Sequence, residues 1–226
     1  FLRQNNWMTR NCILAGNFNM TNVDELFKEL VDIGQNPKEK SDTVTVLELI
    51  GQFLDEENDK LYYEYKDLGK SKREITELIS TNLKVENILK PAAQKFDGGY
   101  VLAGLLGHGD AFVLRDPSGI RPAFYYMDDE VLVVASERPA IQTAFDLKIG
   151  DLKALDPGHA LISKKDGSVS IEKCVEPKER KECSFERIYF SRGSDFDIYN
   201  ERKQLGKQLT KTVLEKVDND IENTVF

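Results

Sequence analysis

Residues 98–137 alternate short apolar runs with strong turn signals, a rhythm that few folds other than a sheet accommodate. The runs are rich in Val, Leu, Phe and Tyr, which suit a pleated, half-buried surface. Between them lie Gly107-His108-Gly109-Asp110, Asp116-Pro117-Ser118-Gly119 and Asp128-Asp129. In the second of these, Pro117 presets a negative φ and Gly119 tolerates a positive one, so the chain turns a tight corner there. The stretch predicts an antiparallel meander.

Residues 11–15 read as a short buried strand and residues 17–21 as a polar loop leading into helices. Asn22 followed by Glu25 predicts a capping box, and Val23, Leu26, Phe27, Leu30 and Val31 form one apolar stripe that stops at Gly34. A second helix starts at Ser41 or Asp42 and carries Val46, Leu47, Ile50, Phe53 and Leu54 on one face. Residues 55–70, charged and tyrosine-rich, read as a surface excursion with one short helix at most. Ser71 with Glu74 opens a third helix, and a fourth, with Val85, Ile88, Leu89 and Phe96, must bend or restart at Pro91.

After Glu137 come a short helix over 139–145 and strands over 152–155, 159–163 and 169–171. The solvated, proline-bearing stretch that follows reads as a linker over 177–182. Beyond it, a strand over 185–190 and a helix through Leu205, Leu209, Val213, Leu214 and Val217 begin a second unit. The expected architecture is α+β over 1–176, with antiparallel sheets, followed over 183–226 by the first strand and helix of an α/β domain.

A net charge of −8, without any basic stripe, argues against a nucleic-acid partner. No apolar run approaches membrane-spanning length. Cys12, Cys174 and Cys183 are too few and too scattered for a disulfide framework or a zinc site, which fits a reducing, cytoplasmic setting. The opening Phe1-Leu2-Arg3 lacks an initiator Met and a signal-peptide pattern, and reads as a start inside a longer protein. Cys12 sits in an apolar pattern and reads as an inert core thiol, while His108 and His159 lie in turns without a catalytic partner.

Two polar segments could carry chemistry. The residues Gly16-Asn17-Phe18-Asn19 leave a buried strand, where backbone N–H groups and amides can serve turns or can stabilise an oxyanion. Asp42 can cap a helix or hold a ligand.

The string Arg115-Asp116-Pro117-Ser118-Gly119-Ile120-Arg121-Pro122, followed by Ala135-Ser136-Glu137, resembles the glutaminase domain of class II glutamine amidotransferases, which are N-terminal-nucleophile hydrolases. The resemblance implies a four-layer α-β-β-α sandwich, here truncated at its N-terminus. It implies an oxyanion hole from the Asn17 side chain and the Phe18 N–H, although Gly16 stands where the family has histidine and Phe18 where it has glycine. It further assigns Asp42 to the α-amino group of glutamine, leaving Ser41 as the cap, and places Gly98 and Gly99 before the central strand beside the substrate. Arg115, Asp116 and Arg121 are expected to pair structurally at the sheet corner. The family's N-terminal nucleophilic cysteine and its carboxylate-clamping arginine have no counterpart, so this chain alone is expected to be inactive.

The continuation, Cys183-Ser184-Phe185-Glu186-Arg187-Ile188-Tyr189-Phe190-Ser191-Arg192, resembles amidophosphoribosyltransferases, whereas asparagine synthetases share only the earlier string. That resemblance implies glutamine and phosphoribosyl pyrophosphate as substrates of the parent protein, ammonia transfer between two units, purine synthesis as the pathway, and a homo-oligomer. Mg²⁺ is expected in the parent's transferase domain, with no cofactor and no metal in this chain. Cys183 matches one ligand of an iron–sulfur cluster found in some members, and one ligand of four leaves it a plain buried thiol. Another class II amidotransferase, or a non-catalytic glutamine-binding relative, is the alternative.

Overall fold

The computed structural model describes residues 1–225. In chain order, strands β1 (Leu2–Arg3) and β2 (Cys12–Met20) are followed by helices α1 (Val23–Asp32), α2 (Asp42–Asp67), α3 (Lys72–Asn82) and α4 (Val85–Lys95). Strands β3 (Gly98–Leu106), β4 (Ala111–Arg115), β5 (Phe124–Met127) and β6 (Leu132–Ala135) lead to α5 (Arg138–Phe145). Then β7 (Lys153–Ala154), β8 (His159–Ser163) and β9 (Val169–Lys173) precede α6 (Phe196–Lys216).

The expected meander divides between two sheets. β3 and β4 belong to an antiparallel sheet of order β1-β2-β3-β4-β8-β9, and β5 and β6 to a smaller one of order β6-β5-β7. The chain changes sheet at the corner after Arg115. There the buried Asp116 carboxylate accepts from the N–H groups of Ser118 (3.0 Å), Ile120 (2.9 Å) and Arg121 (3.0 Å). Arg115 extends to the carbonyls of Gly119, Arg121 and Leu155, holding the far side of the corner. With the Tyr100 N–H (3.4 Å), four donors meet one carboxylate and three acceptors meet one guanidinium, satisfying a corner whose backbone would otherwise be left unpaired.

Strand alternation sorts the large sheet into two faces. Leu14, Tyr100, Leu102, Leu114 and Ile162 turn to one side, where they share a core with Leu30, Ile50, Leu54, Ile88 and Leu89 of the helices. Val101, Val113, Leu161 and Val169 turn to the other and pack with Ala123, Tyr125, Val134 and Leu155 of the smaller sheet. On the outer side of that sheet lies α5, with Phe145 beside the Tyr126 ring and the Arg138 guanidinium 5.2 Å from the Phe124 ring centre.

Several local readings change. Residues 55–67 are not an excursion but the second half of α2, a 26-residue helix. Leu54, Asn58 and Leu61 continue its buried stripe, and Asn58 donates to the carbonyls of Thr9 (3.1 Å) and Leu54 (2.8 Å). The charges that hid this period simply solvate the opposite face. Asn22 makes no side-chain cap and no capping box forms. Its amide instead donates to Lys95 O (2.8 Å) and accepts from Asp97 N–H (3.2 Å), tying α1 to the α4–β3 connection. α4 runs through Pro91, forgoing one N–H bond while Ile88, Leu89, Ala92 and Ala93 remain buried.

The strand expected over 185–190 is a single turn of π-helix, Glu186–Phe190. Among the described residues no strand lies alongside to complete a ladder, and Phe185 stacks on Tyr189 four residues on, 5.5 Å between ring centres. The stretch read as a linker is strapped down: the N–H groups of Lys178, Lys181 and Cys183 donate to the carbonyls of Pro117 (2.8 Å), Ser118 (2.9 Å) and Ile120 (3.3 Å). Arg138 then grips Asp195 through two bonds of 2.8 and 2.6 Å, and Asp195 itself caps α6. Among the described residues, no helix is long and apolar enough to cross a membrane.

The turn before β4 holds a buried ionic group. Asp110 is 1% exposed and accepts from Lys164 Nζ and Lys165 N–H (2.9 Å), with His108 Nε2 3.0 Å away. Burial alone would raise its pKa, but the hydrogen bonds and the neighbouring positive groups win and hold it below the ordinary value of 3.8. A depressed carboxylate contributes stability that is present above its unfolded pKa and lost as pH falls through the folded one. Asp110→Asn is therefore expected to cost about 1–3 kcal/mol at neutral pH, with the difference from the parent shrinking only below about pH 4. Urea midpoints measured from pH 3 to 8 test this, and a difference independent of pH through that range would refute it.

Candidate active site

β2 runs straight through the residues read as a polar loop. Asn17 pairs with Val101, Phe18 with Tyr100, Asn19 with Gly99 and Met20 with Gly98. The loop expected over 17–21 is thus the end of a strand, because the Gly98-Gly99 pair allows β3 to lie close beside it. Gly98 takes φ +133°, and a Cβ there would stand 2.2 Å from Asn19 O. At Gly99 a Cβ would meet Ile120 of the corner at 2.7 Å. These glycines are close-approach residues that join the Asn17 strand to the Asp116 corner.

Strand geometry sets what this segment can donate. The N–H of Leu14 bonds to Phe1 O (2.8 Å) on the β1 side, and that of Thr21 to Asp97 O (2.9 Å) on the β3 side. Alternation then turns the Phe18 N–H to the β1 side, where β1 is only two residues long and its pairing ends at Leu14. Phe18 presents a backbone donor at an open sheet edge, while its ring packs on the helical core. At Gly16 a Cβ would lie 2.4 Å from Val101 O, so this packing requires the glycine found where the resemblance has histidine.

The exposed Asn17 side chain donates from Nδ2 to Glu186 Oε1 at 3.1 Å. The same oxygen accepts from Arg121. Asn17, Arg121, Ser136, Glu137, Glu186 and Ser191 line one cleft, into which the first helical turn after the linker reaches. The Arg121 Nε is buried without a partner. Sequence reasoning set Arg121 aside as a corner residue and passed over Glu186 inside an expected strand. The available signal was a single carboxylate set among aromatic residues.

Asp42 stays apart from this group. Ser41 caps α2 as expected, accepting from Val44 N–H (3.3 Å), and the half-buried Asp42 accepts only from the N–H (2.8 Å) and hydroxyl of its neighbour Thr43. Cys12 is fully buried, and burial pushes its thiol up to about 11, which leaves it unreactive at neutral pH. Cys183 is half-buried, not buried, and lines a neighbouring cleft with Arg138 and Asp195. Among the described residues, no group of three or more His, Cys, Asp or Glu is gathered to hold a metal ion. The Asn17 amide lies beside a charge-balanced carboxylate and the Phe18 N–H faces the open sheet edge, and donors of these two kinds can stabilise developing negative charge.

No family model matches the sequence. Amidophosphoribosyltransferases from Archaeoglobus fulgidus and Bacillus subtilis are each 29% identical to it, over 88% of this chain and 38% and 36% of theirs. One from Pseudomonas aeruginosa is 27% identical over 92% of this chain and 40% of its own. The chain thus spans about two-fifths of the length of these relatives. Among solved structures, a B. subtilis glutamine phosphoribosylpyrophosphate amidotransferase complexed with ADP and GMP superposes with a TM-score of 0.65 at 28% identity, covering 93% of this chain and 40% of that one. A structure described as the allosteric regulatory enzyme of purine biosynthesis gives a TM-score of 0.66 at 27% identity, covering 94% and 39%. Sequence and fold converge, and the chain is a divergent relative of the amidophosphoribosyltransferases.

Proposed function

We propose that this chain is the larger part of the glutaminase unit, and the beginning of the transferase unit, of a glutamine-dependent amidophosphoribosyltransferase. The glutaminase part is residues 1–176, in a sandwich of the N-terminal-nucleophile hydrolase type, and 183–226 opens the transferase part. The observation that carries this reading is the cleft where the Asn17 amide of β2 meets Arg121 of the Asp116 corner and Glu186 of the segment after the linker, with β2 held against the Gly98-Gly99 pair. In this reading the Asn17 amide and the Phe18 N–H face the oxyanion formed when glutamine is attacked. Asp42 holds the substrate's α-amino group, which requires its carboxylate to turn outward from the helix start. The nucleophilic cysteine and the carboxylate clamp are supplied by parts of the protein other than these residues, so the chain alone does not turn over glutamine. Mg²⁺ serves the transferase step through residues outside this chain, and the whole protein works as a homo-oligomer in the cytoplasm.

Glutamate release from glutamine by the whole protein, with and without phosphoribosyl pyrophosphate, tests the reading. Turnover that rises with phosphoribosyl pyrophosphate and vanishes when the N-terminal cysteine is replaced by alanine is the expected result. A folded protein without turnover would leave a glutamine-binding relative, a second reading to which Gly16 and Phe18 lend support as departures from the family's oxyanion segment.

A further inference from the structure

We propose that Glu186 is a positioning residue for the glutaminase reaction: it fixes the Asn17 amide as a donor, with Arg121 balancing its charge. The inference rests on the reading of Asn17 as an oxyanion donor, and it assigns a role to a residue on the far side of the linker.

An asparagine amide has two faces of nearly equal shape, one donating and one accepting, and only the Nδ2 face can stabilise an oxyanion. A carboxylate offers acceptors alone. Glu186 Oε1, 3.1 Å from Asn17 Nδ2, therefore selects the donating face and uses one of its two hydrogens. The other hydrogen remains for substrate. An unbalanced carboxylate here would oppose the developing negative charge, and Arg121 donates to the same Oε1. Arg121 is itself fixed through both of its backbone polar groups, its N–H donating to Asp116 Oδ2 (3.0 Å) and its carbonyl accepting from Arg115 Nε (2.8 Å). The Glu186 side chain is 13% exposed and that of Arg121 21%, so solvent screens this contact less than a surface pair. Without Glu186 the exposed Asn17 amide is free to rotate, and only a fraction of its orientations donate toward the cleft.

The test is steady-state glutaminase kinetics on the whole protein. Glu186→Ala is expected to lower kcat about tenfold, less than loss of the donor itself, while KM for glutamine changes less than about twofold. Glu186→Gln, which can still offer Asn17 a carbonyl acceptor, is expected to recover most of kcat. In an Asn17→Ala background, Glu186→Ala is expected to add nothing, because its effect passes through the amide. Full activity in Glu186→Ala would overturn the proposal, and so would an equal, additive loss in both backgrounds. If Glu186→Ala does not fold, Glu186→Leu, which keeps the bulk but offers Asn17 no acceptor, and its double variant with Asn17→Ala carry the same test. Absence of turnover in the unmodified protein would remove the glutaminase reading and this proposal with it, an outcome distinct from an active protein indifferent to Glu186.

Discussion

Asn17→Ala is expected to lower glutamine turnover by the whole protein about 10²–10³-fold, equivalent to about 2.7–4 kcal/mol of lost transition-state stabilisation. The loss should fall on kcat, because the amide meets full negative charge only after attack, while the ground-state carbonyl needs it little. On the proposed reading, the Phe18 N–H, a backbone group that alanine at position 17 leaves in place, is expected to sustain the residual rate. Asn17→Asp should be worse than Asn17→Ala although it is the closer match in shape. It replaces a donor by a second carboxylate beside Glu186, now 3.1 Å from an acceptor it cannot satisfy. Initial rates of glutamate release at saturating glutamine measure both variants. An Asn17→Ala protein within threefold of the parent would remove Asn17 from the oxyanion site.

The parts of this site that were legible in the sequence are those where one residue type has one local use. Asp116-Pro117-Ser118-Gly119 announced a corner because proline and glycine restrict φ in complementary ways, and the structure places a corner there, with Gly119 at φ +62°. Ser71 with Glu74 announced a helix start, and both reciprocal bonds form. Where a residue has several uses, the sequence could not choose. Asn22 could cap a helix or bridge to a neighbouring loop, and it bridges. Asn17 to Met20 could be loop or strand; the partner that decided it, Gly98 to Val101, lies some eighty residues away. Periodicity failed in α2 for a different reason: charges on the solvated face outnumbered the few buried positions that define the stripe. The link from Asn17 to Glu186 joins residues 169 positions apart, beyond the reach of any local pattern.

Asp116→Ala is expected to be the most damaging single change for the fold. It removes a fully buried acceptor that serves four N–H groups, those of Tyr100, Ser118, Ile120 and Arg121. With each unmet donor costing about 1–3 kcal/mol and partial relaxation of the loop, the expected loss is about 3–5 kcal/mol, a substantial fraction of the stability of an ordinary domain. Asp116→Asn should cost less, since its Oδ1 still serves Ser118 and Ile120, although its Nδ2 then faces the Arg121 N–H, donor against donor. Asp129→Ala, at an exposed turn position, should change stability by less than about 0.5 kcal/mol and serves as the control. Urea unfolding followed by far-ultraviolet circular dichroism separates these cases, and a loss under about 1 kcal/mol in Asp116→Ala would show that the corner is held by other bonds. On the proposed reading the corner also bears on catalysis. Asp116 fixes the Arg121 peptide, Arg121 binds Glu186, and Glu186 holds Asn17, so a protein stable enough to survive Asp116→Asn should still show reduced kcat with little change in KM. Loss of stability without that kinetic change would mean that the corner and the amide are independent.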